Sequence, residues 1–426
     1  MNFNTPRGTV DIYSSEAKKW QYIENKLRNI SDKFNYEEIR TPMFEHTEIY
    51  QRGVGDSTDI VQKEMYTFYD RGGRSLTLRP EGTAGVVRAF VQNKMYGDAN
   101  QPVKLYYFQE MFRYERPEQG RMRQLHQFGV EVLGSEDPAV DAEVISLAMF
   151  AYEELGLTDE IKLVINSLGD RESREKHREA LVKHFTTYQD ELCGDCQMRL
   201  KQNPMRILDC KVDADHEAMK KAPSILDYLN DSSKQYFQDV KAHLDRIGVE
   251  YVVDANLVRG LDYYNHTAFE IMLDKEGYGA ATTLLGGGRY DGLTSELGGP
   301  DVPGVGFGMG IERLLMALDA VDIQLPADEG IDCYVVTIGE NANNEAVRLV
   351  YQLRRAGLKV EKDYLKRQMR AQLRAANRLQ AHFTVIIGDN ELEKEIVNVR
   401  NMQTGEQEEV SFLELKNYLL TYCKEE

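Results

Sequence analysis

The sequence predicts an α+β domain built on a mainly antiparallel sheet flanked by helices, interrupted by a helical insertion and followed by a C-terminal α/β domain. Three observations carry that reading. Before about residue 325, aromatic-rich strand candidates outnumber the helices available to cross between parallel strands. Between about 170 and 245 a polar, helix-rich stretch intervenes, containing NPMRILDCK and SILDYL, and strand-like sequence resumes at EYVVD. From 331 onward short apolar strands alternate with helical stretches, the order expected of a largely parallel sheet.

Taken in order, the chain predicts a helix near 15–35 and then the strands KLYYFQEMFRYE, RQLHQFGVEVLG and TAFEIMLD. The first two flank ERPEQGRMR, a polar stretch with Pro and Gly, and so form a long-looped hairpin over 104–134. Period-2 alternation places Arg113 and Glu115 on one face of its first strand. On its second strand Gln127, Gly129 and Glu131 share a face, opposite His126, Phe128, Val130 and Val132. In GVGFGMGIERLLMAL, 304–318, glycine at every second position gives a strand with one bare face, which lets a flat ligand or another backbone approach. A helix follows at once and carries Glu312 and Arg313 in its first turn. DIQLPADEG, 322–330, is a linker. Beyond it come IDCYVVTIG, a helix over 342–356, GLKVEKDY, a basic helix, HFTVIIG, a short acidic helix, IVNVRNM and a last amphipathic helix.

The bulk properties narrow the function. A net charge of −18 argues against a protein that coats nucleic acid non-specifically. Locally, ten basic residues between Arg348 and Arg378 face only two acidic ones, Glu361 and Asp363. Lys366, Arg370, Arg374 and Arg378 recur every four residues, so a helix would line them along one side, as a solvated face or a polyanion contact. The five cysteines are odd in number and sparse, which fits a reducing compartment. With neither an apolar leader nor a membrane-length apolar run, the expectation is a soluble cytoplasmic protein.

Several polar residues sit where apolar ones are expected. LRPEGTAG (78–85), LVRGLDYYNHTAFE (257–270) and GGGRYDGL (286–293) propose Glu81, Thr83, Arg259, Tyr263, Tyr264 and Tyr290 as pocket residues. A guanidinium at Arg259 within a strand-like, buried stretch needs a carboxylate or an anionic ligand. No GxxxxGK[ST] loop and no Rossmann fingerprint is present, so any nucleotide would bind on the antiparallel sheet, through arginines.

In combination these stretches resemble the bacterial-type histidyl-tRNA synthetases, a class II aminoacyl-tRNA synthetase family, nearly from end to end. The resemblance rests on IRTPMFEHTEIYQRGVG around Pro42, FRYERPEQGRMRQLHQFGVEVLG and GVGFGMGIERLLMAL, with LVRGLDYYNHTAFE and GGGRYDGL peculiar to the histidine enzymes. It implies a catalytic domain over 1–325 and an anticodon-binding α/β domain over 331–426. It also implies a homodimer formed through the Pro42 region. The implied reaction is activation of L-histidine with ATP, magnesium accompanying the phosphates, then transfer to the terminal adenosine of tRNA(His). Arg113 and Arg259 are the implied catalytic residues, at the α-phosphate. Arg121 and Arg313 would hold the γ-phosphate, and Glu115 the adenine. Glu81 and Thr83 would take the α-ammonium, and Gln127, Glu131 and Tyr264 the imidazole, with Tyr263 and Tyr290 lining the pocket. Arg116 and Gln119 of the hairpin loop would meet the acceptor end, and Lys366, Arg370 and Arg374 the anticodon. Glu118 departs from the family pattern in that loop, and Tyr13 stands where the family usually carries Pro. The alternative is a non-catalytic synthetase-like subunit of an ATP phosphoribosyltransferase. It lacks the anticodon domain, whereas this chain has an α/β domain from 331 and keeps Arg259. Cys193, Cys196 and Cys210, with His216 downstream, are expected to be free thiols rather than a metal site.

Overall fold

The computed structural model describes residues 3–55, 58–118, 120–275, 283–326 and 330–423. They form two compact units, Met1–Leu325 and Pro326–Glu426. The strands of the first are β1 (Glu37–Glu38), β2 (Phe44–His46), β3 (Thr67–Tyr69), β4 (Ser75–Leu78), β5 (Val103–Phe112), β6 (Gln124–Leu133), β7 (Ile161–Ser167), β8 (Val252–Val253), β9 (Asn265–Leu273), β10 (Thr283–Arg289) and β11 (Gly304–Gly310). Among the described residues eight of them make one sheet in the order β1-β5-β6-β11-β10-β9-β7-β8. Only the two edge pairs, β1 with β5 and β7 with β8, are parallel. The other pairs are antiparallel, as the scarcity of crossover helices predicts.

Alternation along the strands gives this sheet two chemically different faces. Phe128, Val130 and Val132 of β6 and Val305, Phe307 and Met309 of β11 enter one apolar core with Trp20, Ile23 and Leu27 of the helix Ser14–Lys33. Helices Pro138–Glu154, Asp231–Ile247 and Ile311–Ala320 close the same core. On the opposite face, Gln127, Gly129 and Glu131 of β6 stand beside Gly310, Gly308 and Gly306 of β11 in register. Burial of one full face fixes the register, because a one-residue slip would turn Phe128 and Val130 outward.

The helical insertion departs from the range its composition marks. Helices Arg171–Thr186 and Gly194–Gln202 form a small core of their own with Leu192, Ile207 and Ala218. The helix Asp231–Ile247 instead buries Phe237, Val240 and Leu244 in the main core. Polarity alone did not distinguish an amphipathic core helix from an insertion helix.

The second unit carries β12 (Cys333–Thr337), β13 (Val360–Lys362), β14 (Phe383–Ile387), β15 (Ile396–Asn401) and β16 (Gln407–Ser411), in the order β13-β12-β14-β15-β16. Its sheet is half parallel, since β14, β15 and β16 run antiparallel. The expectation of a largely parallel sheet fails because β15 and β16 form a hairpin. Its turn is held by Asn401 Oδ1, which accepts from the backbone N–H of Gln403 at 2.9 Å and Thr404 at 3.1 Å. QEEVS, with one buried residue, has too little apolar character to read as a strand.

A candidate active site on the glycine-faced sheet

The polar face of the large sheet opens into a cleft. It is lined by Glu81, Thr83, Arg113, Glu115, Arg121, Gln127, Arg259, Tyr263, Tyr264 and Arg313, with the backbone of Gly286, Gly308 and Gly310 as floor. Residues proposed from four separated stretches of sequence thus meet around one space. Four arginines give it the charge to hold an anion.

Each arginine is placed by a backbone or carboxylate contact. β5 ends at Phe112, so Arg113 and Glu115 lie just past the strand rather than on it. Arg113 Nε donates to the carbonyl of Pro80 at 2.7 Å. Its Nη1 stands 3.7 Å from Glu115, whose other oxygen is 3.8 Å from Arg121. Arg313, in the first turn of the helix after β11, donates to the carbonyls of Gly120 at 3.2 Å and Thr283 at 2.5 Å. Burial lowers its pKa, with Arg121 and Arg113 adding to the shift and Glu115 and Glu270 opposing it.

Arg259 lies in a loop, not the expected strand, which begins at Asn265. Its Nη1 pairs with Glu270 of β9, so the structure supplies a carboxylate partner. The buried Nε finds no hydrogen-bond partner among the described residues, and the guanidinium stands 5.5 Å from the centre of the Tyr264 ring. The pair therefore leaves donor capacity unused at the cleft wall, where an isolated buried N–H is costly.

At the deep end of the cleft lies a hydrogen-bonded carboxylate pair. Glu81 accepts from the backbone N–H of Thr83 and Ala84, both at 2.8 Å, at the start of the helix Thr83–Gln92. Glu131 accepts from Thr83 Oγ1 at 2.7 Å and from the Tyr290 hydroxyl at 2.6 Å. Burial pushes the Glu131 carboxyl up to about 8, against the hydroxyl bonds that oppose the shift. Burial also raises Glu81, with the two backbone bonds opposing. Tyr290 does not line the cleft; it stands behind the wall with Glu131, both almost without exposure. β11 explains why. A β-carbon at Gly304 would lie 2.3 Å from the Tyr290 ring and one at Gly306 2.0 Å from Glu131, so half of the bare face is filled by these side chains. The other half, Gly308 and Gly310, faces the cleft.

Tyr107 lines the cleft and was missed by reasoning from the sequence. A β-carbon on Gly82 would meet its ring at 2.4 Å and one on Gly129 at 2.2 Å. The gap at Gly129 is therefore the berth of a tyrosine, and the signal was the pair of glycines without an assigned occupant. Arg289 was also missed. It is fully buried and paired with Asp141, and its Nη1 donates to the Ser135 carbonyl at 3.0 Å, tying β10 to the helix behind the sheet.

The remaining candidates are scattered. Arg116 is exposed in the hairpin loop, and Gln119 lies outside the described residues. Glu118 pairs with Arg121 at 3.3 Å within that loop. Arg370 and Arg374 are exposed on the helix Met369–Arg378, but Lys366 precedes that helix with a left-handed backbone (φ 54°) and is not in line with them. The fourfold spacing crosses the helix start at Gln368, which sequence periodicity does not mark.

An arginine-lined cleft on an antiparallel sheet, floored by a glycine strand that runs straight into a helix, defines a class II aminoacyl-tRNA synthetase catalytic domain. The family model for histidyl-tRNA synthetases matches residues 8–314, and that for anticodon binding domains matches 332–422. The histidine–tRNA ligase of Geobacillus thermodenitrificans is 63% identical over 426 residues, 100% of both chains. That of Bacillus subtilis is 60% identical over 411 residues, 96% of this chain and 97% of the other. The apo histidyl-tRNA synthetase of S. aureus has a TM-score of 0.84 at 49% identity, covering 98% of this chain and all of that one. The chain belongs to the histidyl-tRNA synthetase family.

Proposed function

We propose that the cleft activates L-histidine with ATP and that the chain, as a histidine–tRNA ligase, then esterifies the terminal adenosine of tRNA(His). The observation that carries this reading is the convergence of Arg113, Arg121, Arg259 and Arg313 beside the buried pair Glu81 and Glu131. Attack of the histidine carboxylate on the α-phosphorus needs two anions brought together, and fixed guanidinium groups lower that repulsion before reaction. Arg259, with unused donor capacity, takes the histidine carboxylate and the α-phosphate. Arg113 takes the α-phosphate from the other side, and Arg121 and Arg313 hold the γ-phosphate, with Glu115 near the adenine.

Histidine is selected at the deep end. Glu81 receives the α-ammonium next to Thr83. Gln127 and Tyr264 reach the imidazole directly from the wall, with Tyr263 beside them. Glu131 reads the ring only if Thr83 or Tyr290 releases one of its oxygens, so Tyr290 acts by positioning Glu131. A site built to satisfy both ring nitrogens rejects side chains that cannot bond there.

Magnesium fits as the companion of the ATP phosphates, since the ion keeps phosphate and water oxygens as most of its ligands and neutralises their charge. Of the carboxylates lining the cleft, Glu81 is capped by backbone N–H groups and Glu312 accepts from His126. Glu115, the remaining carboxylate of the lining, is already held between Arg113 and Arg121, so the phosphates rather than the protein supply most of the ion's oxygens.

The remaining parts follow. Arg370 and Arg374 contact the anticodon arm, and Arg116 and Gln119 the acceptor end. A homodimer forms around Pro42, where Met43 and, on the small sheet β2-β4-β3, Phe44, Phe68 and Tyr69 are exposed apolar residues. No described helix is long and apolar enough to cross a membrane, in keeping with a cytoplasmic site of action. The test is pyrophosphate exchange into ATP with each amino acid and no tRNA. Exchange with histidine alone is expected; exchange with none, in folded protein with magnesium, would move the chain to a regulatory-subunit role.

A further inference from the structure

The helical insertion brings together four groups that the proposed chemistry does not use. Cys193, Cys196, Cys210 and Asp213 each offer one ligand atom, and these atoms all lie within 4.8 Å of one another. The spacing is Cys-x2-Cys followed by Cys-x2-Asp, two close pairs joined by a single connection. The sequence favours free thiols here, and the one further ligand it offers is His216. That ring instead accepts from the backbone N–H of Ala218 at 3.1 Å through Nδ1 and stands 3.4 Å from Glu191 through Nε2. Asp213 takes the place the second pair needed.

We propose that Cys193, Cys196, Cys210 and Asp213 form a tetrahedral binding site for one zinc ion. Two of the separations match those of ligands around a metal, and the whole set closes within 4.8 Å. With zinc–sulfur bonds of about 2.3 Å and zinc–oxygen bonds of about 2.0 Å, tetrahedral angles put sulfur atoms about 3.8 Å apart and sulfur and oxygen about 3.5 Å apart. Cys193 Sγ lies 3.7 Å from Cys210 Sγ, and Cys210 Sγ lies 3.6 Å from Asp213 Oδ2. The two sulfurs are far beyond the ~2.05 Å of a disulfide.

The surroundings suit an anionic ligand set. Cys193 immediately precedes the helix Gly194–Gln202, whose N-terminus favours negative charge. The backbone N–H of Cys193 donates to both Asp213 oxygens, at 3.3 and 3.1 Å, and that of Asp213 to Cys210 Sγ at 3.5 Å. These bonds orient the ligands from outside. The insertion's own core is also small. Apart from Cys196 and Cys210 its buried core is six residues: Leu181, Phe185, Leu192, Leu200, Ile207 and Ala218. A core of that size is the kind that metals stabilise.

The site has a path to the cleft. The helix Gly194–Gln202, which starts just after Cys193, is followed by Asn203, which donates to Asp262 Oδ1 at 3.0 Å, and Arg206 pairs with Asp59 at 3.0 Å. Asp262 adjoins Tyr263 in the loop that carries Arg259. The ion therefore holds the insertion in the pose that braces this loop.

The test counts metal in the full chain and does not depend on the synthetase reading. Reduced protein, loaded with zinc and desalted, should retain about one zinc per chain. Cobalt titrated into the metal-free chain should give intense thiolate-to-metal absorption and a tetrahedral visible spectrum, abolished by excess zinc. Cys196→Ala and Cys210→Ala should lose the ion. Asp213→Ala should weaken it by more than the roughly 10- to 100-fold that loss of an outer partner costs, and Asp213→His should restore it. Cys333→Ser is the control and should bind as the parent does. No retained zinc, or a cobalt spectrum without thiolate bands, would overturn the proposal. The cobalt spectrum of the parent chain decides it even where a cysteine variant fails to fold.

Discussion

The guanidinium of Arg259 occupies the space of a side chain that Gly286 does not have: a β-carbon there would lie 2.1 Å from Nη2. The atom it meets is the far end of a flexible chain, so Gly286→Ala should fold while pushing Arg259 from its place. Displacement of about an ångström in a positioning group costs ~100-fold in rate. Pyrophosphate exchange should fall by that order with an unchanged circular dichroism spectrum. Arg259→His should abolish exchange and leave the fold intact; loss of the spectrum in that variant would make the Glu270 pair structural.

Glu131 makes the apo protein sensitive to pH. Its carboxyl is pushed up to about 8, above the ~4.3 of an unfolded chain. Between those values the native state holds a proton the unfolded state has released, so this group's contribution falls as pH rises through the window and levels off above it. Glu131→Gln removes that dependence. Thermal melts should show the variant gaining on the parent from pH 5 to pH 8, by on the order of 3 kcal/mol, while exchange with histidine drops. A gap that does not change with pH would contradict the protonated carboxyl.

Gly129 tests the berth of Tyr107. The ring is buried and would lie 2.2 Å from a new β-carbon, so it cannot move aside cheaply. Gly129→Ala should destabilise the first unit by ~1–3 kcal/mol, read from denaturant midpoints. Tyr107→Ala in the same chain should recover part of that loss.

Arg370 and Arg374 separate the two half-reactions. Changing both to Glu should leave histidine-dependent exchange unaltered and reduce tRNA charging steeply. The deficit should appear mainly in KM for tRNA and should shrink as salt rises for the parent. Equal losses in both assays would mean that the helix serves stability instead.

Much of the fold could be read from residue pattern. Gly304 to Gly310 alternates strictly, and both the strand and its one-sided character follow from that. Phe128, Val130 and Val132 mark the buried face of β6 in the same way. What pattern did not give is depth and termination. Glu131 and Gln127 share a face, yet only Gln127 lines the cleft, because the glycines of β11 admit Tyr290 behind the wall. Arg113 and Glu115 continue the alternation of β5 past its end at Phe112, where one last backbone bond from Arg113 to Arg123 leads into the loop. Lys366 fits a helical period that begins three residues too late. Asp213 was invisible as a ligand because an aspartate three residues after a cysteine has no local signature, and only the fold around residues 192–213 gives it neighbours.

Among the described residues, the apolar cluster from Cys333 through Val385 to Leu419 is drawn from the second unit. Each unit can therefore melt without opening the other's interior. Heating that unfolds the second unit first would leave a molecule that still makes histidyl-adenylate but no longer charges tRNA. Adenylate formation should then outlast charging as temperature rises, and a mild thermal insult would leave activated histidine in the site with no acceptor.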